Sequence, residues 1–323
     1  MPGRTEPVRW GILGTGGINR RFLGGAAIAT EGRVVAVASR DADRASSYAA
    51  ANGIERAFGA YEALLASTDV EAVYVSLPNS LHHPWTMAAL AAGKHVLSEK
   101  PYTRRPAEVD EAFDAAERAG LVLAEGFMWR YSPQTERLVE ESRRIGELRT
   151  IRSTFSFVLD DTTNIRLRAE VEGGCLMDVG CYCVSAARLL TGEEPVEVVG
   201  LQEIGPTGVD IRFSGLLRFP SGVVAEITSG FGSAHQSIEA VGREGSIQSN
   251  SHPWHDGDGW LTRNGTERIE VPVTDPYALE IDELSRAIRG GPPPRLGRAD
   301  ALGQARTIAA LYASAASGCV VRP

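Results

Sequence analysis

Gly93-Lys94-His95-Val96-Leu97-Ser98-Glu99-Lys100-Pro101 decides how this chain is read. A glycine stop precedes a short apolar strand, which delivers Glu99, Lys100 and Pro101 to its carboxyl end. Upstream, Trp10-Gly11-Ile12-Leu13-Gly14-Thr15-Gly16-Gly17-Ile18 reads as another strand, a glycine turn and the start of a helix. Open α/β sheets bind ligands in the crevice beyond the carboxyl ends of their strands. A lysine there, on the same edge as a glycine turn, is placed to face a bound dinucleotide. The two segments together point to a nicotinamide-dependent enzyme.

Around them, strands and helices alternate. Strands are expected at Arg9 to Leu13, Arg33 to Ser39, Ala72 to Leu77, His95 to Ser98 and Leu121 to Ala124. Helices are expected at Gly17 to Ile28, Asp41 to Ala51, His82 to Ala92 and Pro106 to Ala119, with Gly93 suited to a left-handed C-cap. This rhythm predicts an α/β fold with a parallel, doubly wound sheet. Beyond Glu125 the pattern changes. A helix near Ser132 to Arg144, a strand near Leu148 to Phe157 and a helix through Leu176 to Leu190 precede successive strands from Val196 to about Val273. Few helical patterns separate those strands, so a mostly antiparallel sheet is expected. Helices at Tyr277 to Arg289 and Arg298 to Ala316 end the pattern. The expected division is a dinucleotide-binding domain at 1–125 and a substrate-binding domain at 126–323, whose last helices pack back on the first.

With 323 residues, 43% hydrophobic and 23% charged, the chain has room for two cores. A net charge of -8 argues against a nucleic-acid surface. No apolar run approaches the ~20 residues that span a bilayer, and Met1 to Pro7 contains no apolar signal core. Four cysteines make no disulfide framework. A cytoplasmic location is the expectation.

The glycine turn runs Gly14-x-Gly16-x-x-Asn19, with asparagine where the dinucleotide fingerprint has its third glycine. The first two glycines allow a tight turn and close approach to a pyrophosphate, held at a helix N-terminus. Gly14, Thr15, Gly16, Gly17 and Ile18 are therefore the candidate cradle, although glycine turns also serve purely structural ends. At the end of the next strand, Asp or Glu would favour NAD. This chain has Ser39 and Arg40, which suit a 2'-phosphate. The competing reading makes Arg40 a solvated residue and Asp41 a helix N-cap. NADP(H) is expected over NAD(H).

Glu172-Gly173-Gly174-Cys175-Leu176-Met177-Asp178-Val179-Gly180-Cys181-Tyr182 is a second constellation. If helical, it sets Asp178 and Tyr182 one turn apart on one face. A free Tyr, with a pKa of about 10, is a poor base near neutrality. A lysine cation would favour its phenolate, and Lys100 is the candidate. The alternative is a helix N-terminus with an acidic residue near its dipole and a packed aromatic.

Other features read as structural. Cys175, Cys181 and Cys183 lack a second cluster and read as buried small residues, so no metal is expected. His252-Pro253-Trp254-His255-Asp256-x-Asp258 has the Pro and Gly density of a surface loop. His83 is expected to lie on a helix surface.

Along nearly its whole length the chain resembles the Gfo/Idh/MocA family of nicotinamide-dependent oxidoreductases. The matching stretches are Gly11 to Gly16, Leu77-Pro78-Asn79 with Leu81-His82, Ala92 to Leu97 into Glu99-Lys100-Pro101, and the Gly173 to Tyr182 block. The resemblance implies a Rossmann domain and a second α/β domain whose open-faced sheet often serves oligomerisation, hence a homodimer or homotetramer. It also implies that Lys100 takes part in catalysis, while Asn79, His82 and Glu99 approach the nicotinamide ribose. Leu77 and Pro78 join them as cofactor-binding candidates, and the resemblance also implies that Trp254 or His255, on a loop of the second domain, could reach a substrate.

Tyr182, where many members carry His, and Met128-Trp129-Arg130-Tyr131-x-Pro133 are similar to the branch of glucose-fructose oxidoreductase, dimeric dihydrodiol dehydrogenase and NADP-dependent xylose dehydrogenase. Trp129 and Arg130 are cofactor-binding or pocket-wall candidates, with core packing and a surface ion pair as alternatives. The few residues before the first strand leave no room for a long cofactor-locking arm, so an exchangeable cofactor is expected. The function expected is NADP(H)-dependent hydride transfer at a carbinol or carbonyl carbon of a sugar or cyclic polyol. Tyr182 would be the acid or base, with Lys100 and Asp178 beside it. Alternatives are a sugar-nucleotide ketoreductase, a cofactor-recycling lyase-type enzyme or a non-catalytic NADP(H)-binding regulator.

Overall fold

Apolar runs separated by amphipathic helices cannot bury both faces of a sheet unless the helices cover it, and the first half folds that way. The computed structural model describes residues 6–250, 252–255 and 259–323. Met1 to Thr5 of the N-terminal stretch, and Asp256 and Asp258 of the histidine loop, lie outside the described residues. The chain forms two units, 1–128 with 275–302, and 129–274 with 303–323.

In the first unit, β1 (Val8–Leu13), α1 (Asn19–Ile28), β2 (Gly32–Ala38), α2 (Ala42–Asn52), β3 (Arg56–Phe58), α3 (Tyr61–Leu65), β4 (Ala72–Val75), α4 (His82–Ala91), β5 (His95–Glu99), α5 (Pro106–Ala119) and β6 (Leu123–Gly126) follow in order. The strands pair in parallel in the order β3-β2-β1-β4-β5-β6. Winding reverses between β1 and β4, which opens the ligand crevice there. Near-continuous burial along β1, β2 and β4 reflects helices on both sheet faces. The Pro276–Ile288 helix also belongs to this unit, where Ser285 Oγ accepts from Trp10 Nε1 at 3.1 Å.

β3 and α3 were not expected from the sequence. At three and five residues they are too short to show a period. α1 begins at Asn19, two residues later than expected, because the glycine turn takes up Gly17 and Ile18.

The second unit carries α6 (Pro133–Ser142), β7 (Leu148–Val158), α7 (Cys181–Thr191), β8 (Glu197–Ile204), β9 (Asp210–Arg218), β10 (Val224–Gly230), β11 (Gly232–Gly242), β12 (Gly245–Asn250), β13 (Trp260–Arg263) and β14 (Glu267–Glu270). Its sheet runs β14-β13-β12-β11-β7-β10-β9-β8. All neighbours pair antiparallel except β10 with β7. One face is covered by α6, α7 and the end of the Arg298–Ser317 helix, whose Ser314 Oγ accepts the Gly200 N–H at 3.0 Å. The other face is exposed. Along β9, buried Phe213 and Leu217 alternate with exposed Arg212, Ser214, Leu216 and Arg218, the pattern of a sheet covered on one side.

The helix expected over Leu176 to Leu190 is not uniform. It opens with a π-turn, Leu176–Gly180, and becomes α-helical at Cys181.

Candidate active site

In the first unit the site is made mostly of backbone. Gly14 leaves β1 with φ 107°, a region costly for any side chain, and its N–H donates to Ala38 O at 3.0 Å. Asn19 braces the turn, donating from Nδ2 to Gly14 O at 3.0 Å. The missing third glycine is thus replaced by a buried tie. A Cβ on Gly16 would meet only Ser76 O, at 3.7 Å, and one on Gly17 would meet nothing within 4 Å. The protein does not fill that space. α1 has no side-chain cap and no acidic residue in its first turn, so its positive end is left for an anion. Thr15 and Ile18 flank the opening, half-buried. This cradle fits a dinucleotide pyrophosphate.

At the end of β2, Ser39 is buried and Arg40 exposed. Asp41 caps α2, accepting the Arg44 N–H at 2.7 Å. Its carboxylate is committed locally, and two guanidiniums remain nearby. Burial raises the Tyr61 hydroxyl pKa, and the charges of Arg40 and Arg44 partly oppose the rise. Arg44, not singled out in the sequence, joins Arg40 here because the first turn of α2 brings it back.

Leu77, Pro78 and Asn79 leave β4 beside the glycine turn, and Ser76 Oγ donates to Leu13 O at 3.1 Å. His82, 1% exposed, sets its ring nitrogens 2.7 Å from Leu77 O and 2.9 Å from Pro101 O. It ties the loop after β4 to the loop after β5. His83 is less solvated than expected, with Nδ1 2.8 Å from the Tyr102 hydroxyl. Glu99 accepts from the buried Tyr74 hydroxyl and, at 3.1 Å, from the Lys100 N–H. The carboxyl ends of β2, β1, β4 and β5 therefore bring Ser39, Gly14 to Gly16, Leu77 to Asn79 and Lys100 onto one edge.

The second unit gathers side chains from distant segments. Tyr182, 6% exposed, lies edge-on to Phe155 at 5.4 Å and to Trp254 at 5.8 Å between ring centroids. Trp254 stacks on Phe155 and meets Trp129 edge-on at 5.3 Å. It is anchored by Nε1 donating to Thr154 O at 3.2 Å. His255 joins the cluster against Phe155. Asp178 accepts from Arg166 Nε at 2.6 Å, and that guanidinium lies over the Phe157 ring. Arg130 donates to Ser185 Oγ on α7 at 3.1 Å.

Arg166 and Phe155 escaped the sequence reading. Arg166 lies in a 3-10 turn, Ile165–Leu167, too short to show a period, and Phe155 follows the ordinary alternation of a strand. Cys175, Cys181 and Cys183 are buried, and burial pushes the Cys183 thiol up to about 12, holding it protonated and unlike a thiolate ligand. Among the described residues no three His, Cys, Asp or Glu side chains cluster to hold a metal, and no helix is long and apolar enough to cross a membrane.

Residues 8–127 match the profile described as "Oxidoreductase family, NAD-binding Rossmann fold", and residues 134–248 that of the GFO/IDH/MocA C-terminal domain. The chain is 39% identical to a D-xylose 1-dehydrogenase (NADP(+)) of Haloferax volcanii, over 97% of this chain and 98% of that protein. Two solved structures are similar throughout. An aldose-aldose oxidoreductase from Caulobacter crescentus, complexed with glycerol, superposes with a TM-score of 0.91 at 28% identity, covering 98% and 100% of the two chains. A 3-ketoreductase from Actinomadura kijaniata, with NADP and TDP-benzene, gives 0.90 at 31% identity, covering 96% and 98%.

Proposed function

The chain belongs to the Gfo/Idh/MocA family of oxidoreductases, with an NAD-binding Rossmann domain, and from that premise we propose an NADP(H)-dependent oxidation or reduction at a carbinol or carbonyl carbon of a sugar or cyclic polyol. The observation that carries the reading is the strand edge of the first unit, where an unfilled glycine cradle, Ser39 with Arg40, and Lys100 stand at the carboxyl ends of β1, β2 and β5 of one sheet. Commitment of Asp41 to helix capping supports NADP over NAD, because no carboxylate is then reserved for a ribose 2'-hydroxyl. A relative that uses NADP(+) on D-xylose supports the same choice and the substrate class.

When bound, the nicotinamide accepts or supplies the hydride. The protein's part is to bind, orient and move a proton. Gly14, Thr15, Gly16, Gly17 and Ile18 hold the pyrophosphate, and Ser39 and Arg40, with Arg44, the 2'-phosphate. Leu77, Pro78, Asn79, His82 and Glu99 shape the nicotinamide end, His82 by fixing loop backbone. Tyr182 takes the substrate hydroxyl proton during oxidation and returns it during reduction. Lys100 supplies the positive charge that favours the phenolate in that transfer. Asp178, itself oriented by Arg166, orients substrate or Tyr182. Trp129 and Trp254 with Phe155 offer aromatic surface suited to the apolar faces of a sugar, and Arg130 a donor fixed by Ser185. Residues 1–125, joined by the Pro276–Ile288 helix, serve the cofactor and the rest of 126–323 the substrate, in a cytoplasmic enzyme. Leu201 and Leu216, 70% and 48% exposed on the bare sheet face, support a homo-oligomer formed through that face.

Nicotinamide absorbance followed with NADP and NAD, across aldoses, cyclic polyols and dihydrodiols, tests the reading. Turnover preferring NADP, lost in Tyr182→Phe and Lys100→Ala, is expected. NADP binding with no turnover on that panel would overturn it in favour of a sugar-nucleotide ketoreductase, a cofactor-recycling enzyme or a regulator.

A further inference from the structure

We propose that Asp210 is a positioning residue for the acid–base machinery: its buried carboxylate anchors the turn that carries Asp178 and leads directly into the helix of Tyr182, and so fixes their placement. The inference rests on the function proposed above. Its structural half is independent of that reading.

Asp210 opens β9, and its side chain reaches the start of the Leu176–Gly180 π-turn. That turn has no side-chain cap of its own, yet the first N–H groups of any helical segment need an acceptor. Asp210 supplies it. Oδ2 accepts the Leu176 N–H at 2.7 Å and the Cys175 thiol at 3.2 Å, while Oδ1 accepts the Tyr312 hydroxyl at 2.8 Å. The carboxylate is only 3% exposed. Three donors from two elements therefore fix its place.

The neighbouring chain is built around that carboxylate. Gly174 has φ 122°, and a Cβ there would stand 2.1 Å from Asp210 Oδ1. Only glycine lets the chain pass so close. The Gly174 carbonyl then accepts the Asp178 N–H at 3.0 Å, and the Gly174 N–H donates to Arg166 O at 2.9 Å. Arg166 also holds the Asp178 carboxylate from its side chain. A displacement at Asp210 thus passes through Leu176 and Gly174 to Asp178, and on to Tyr182 four residues later. π-turns are rare and gather at functional sites. Here the turn is held from outside by a residue some thirty positions away in sequence.

A carboxylate at a helix start is commonly a plain stability device, so the test must separate aim from folding. Asp210→Asn keeps the shape and removes the charge. In that variant kcat is expected to fall roughly 10–100-fold, the cost of a small misplacement of reacting groups. The sugar KM is expected to stay within about threefold and the NADP Kd within about twofold, since only transition-state interactions are lost. In an Asp178→Asn background the same substitution should cost less than about threefold, because groups acting as a unit are non-additive. Exchange of the Asp178 amide, followed by NMR, should be at least about tenfold faster in Asp210→Asn.

A kcat within about twofold of wild type in folded Asp210→Asn, or full multiplicative losses in the double variant, would overturn the positioning role. Unchanged Asp178 protection would overturn the anchor itself. Should Asp210→Asn not fold, Tyr312→Phe, which removes one donor and leaves no charge unpaired, carries both readouts with smaller expected losses. If the wild type turns over nothing, the proposed function fails, and amide exchange still decides the anchor.

Discussion

The two units carry their candidate functional residues by opposite means. In the first unit, turns at the ends of adjacent strands present backbone, and each turn is a short contiguous stretch such as Gly14 to Ile18 or Glu99 to Pro101. In the second, Phe155, Tyr182 and Trp254 come from separate segments and meet as side chains, and Arg166 reaches Asp178 in the same way. A backbone cradle needs only that side chains be absent. A side-chain cluster needs every neighbour to be correctly placed. Substitutions should therefore act locally in the first unit and cooperatively in the second.

The largest expected effect tests the second unit. Tyr182→Phe keeps the aromatic packing and removes the proton carrier, so kcat should fall about 10²–10⁴-fold with NADP binding intact. Undiminished turnover would remove Tyr182 from the acid–base role. Next, Gly16→Val should fold normally, because a Cβ there meets only ordinary contacts, yet raise the NADP Kd on the order of 100-fold by filling the cradle. Tight NADP binding to that variant would mean that the cofactor does not approach the turn. Gly14→Ala should instead cost about 1–2 kcal/mol of stability through its left-handed backbone, seen as a lower Tm.

Smaller again, Arg40→Ala should raise the KM for NADP roughly tenfold and leave NAD unaffected, the loss of one charge-assisted contact. Equal changes for both cofactors would make Arg40 a solvated residue. The smallest effect concerns buried Glu280, whose pKa is raised well above the usual carboxylate range by desolvation, with the charge of Glu99 reinforcing the shift. Its folded pKa is raised, so the folded state binds the extra proton above the unfolded value of about 4.3. Stability from this group is full below that pH and falls by up to about 1.4 kcal/mol per unit as pH rises toward the folded pKa. Glu280→Gln should flatten that slope in denaturant titrations between mildly acidic and neutral pH. A slope unchanged by the substitution would place the proton elsewhere.

The same contrast explains what could be read in advance. The alternating half declared its fold, its glycine turn and Lys100 because each depends on neighbours in sequence. Asn19 was visible only as a departure from a pattern. Its tie to Gly14 needs the turn to exist first. The π-turn could not be read at all, since its acceptor is Asp210 on β9. Arg166 carries no periodic signal, and only folding brings it to Asp178. The bare sheet face was foreseen through family resemblance and is visible in the strict alternation along β9.

The Pro276–Ile288 helix has a consequence for portability. It returns from far along the chain to the first unit, where Ser285 meets Trp10 and Asp282 accepts the N–H groups of Thr30 and Glu31 at 2.8 Å. A fragment cut after residue 128 would leave the Trp10 indole and the α1–β2 corner without these partners. The nucleotide-binding half is thus no interchangeable cassette. Grafting it onto another catalytic half would require carrying this distant helix with it, so recombination within such genes should favour whole-chain exchange over swaps at the apparent midpoint.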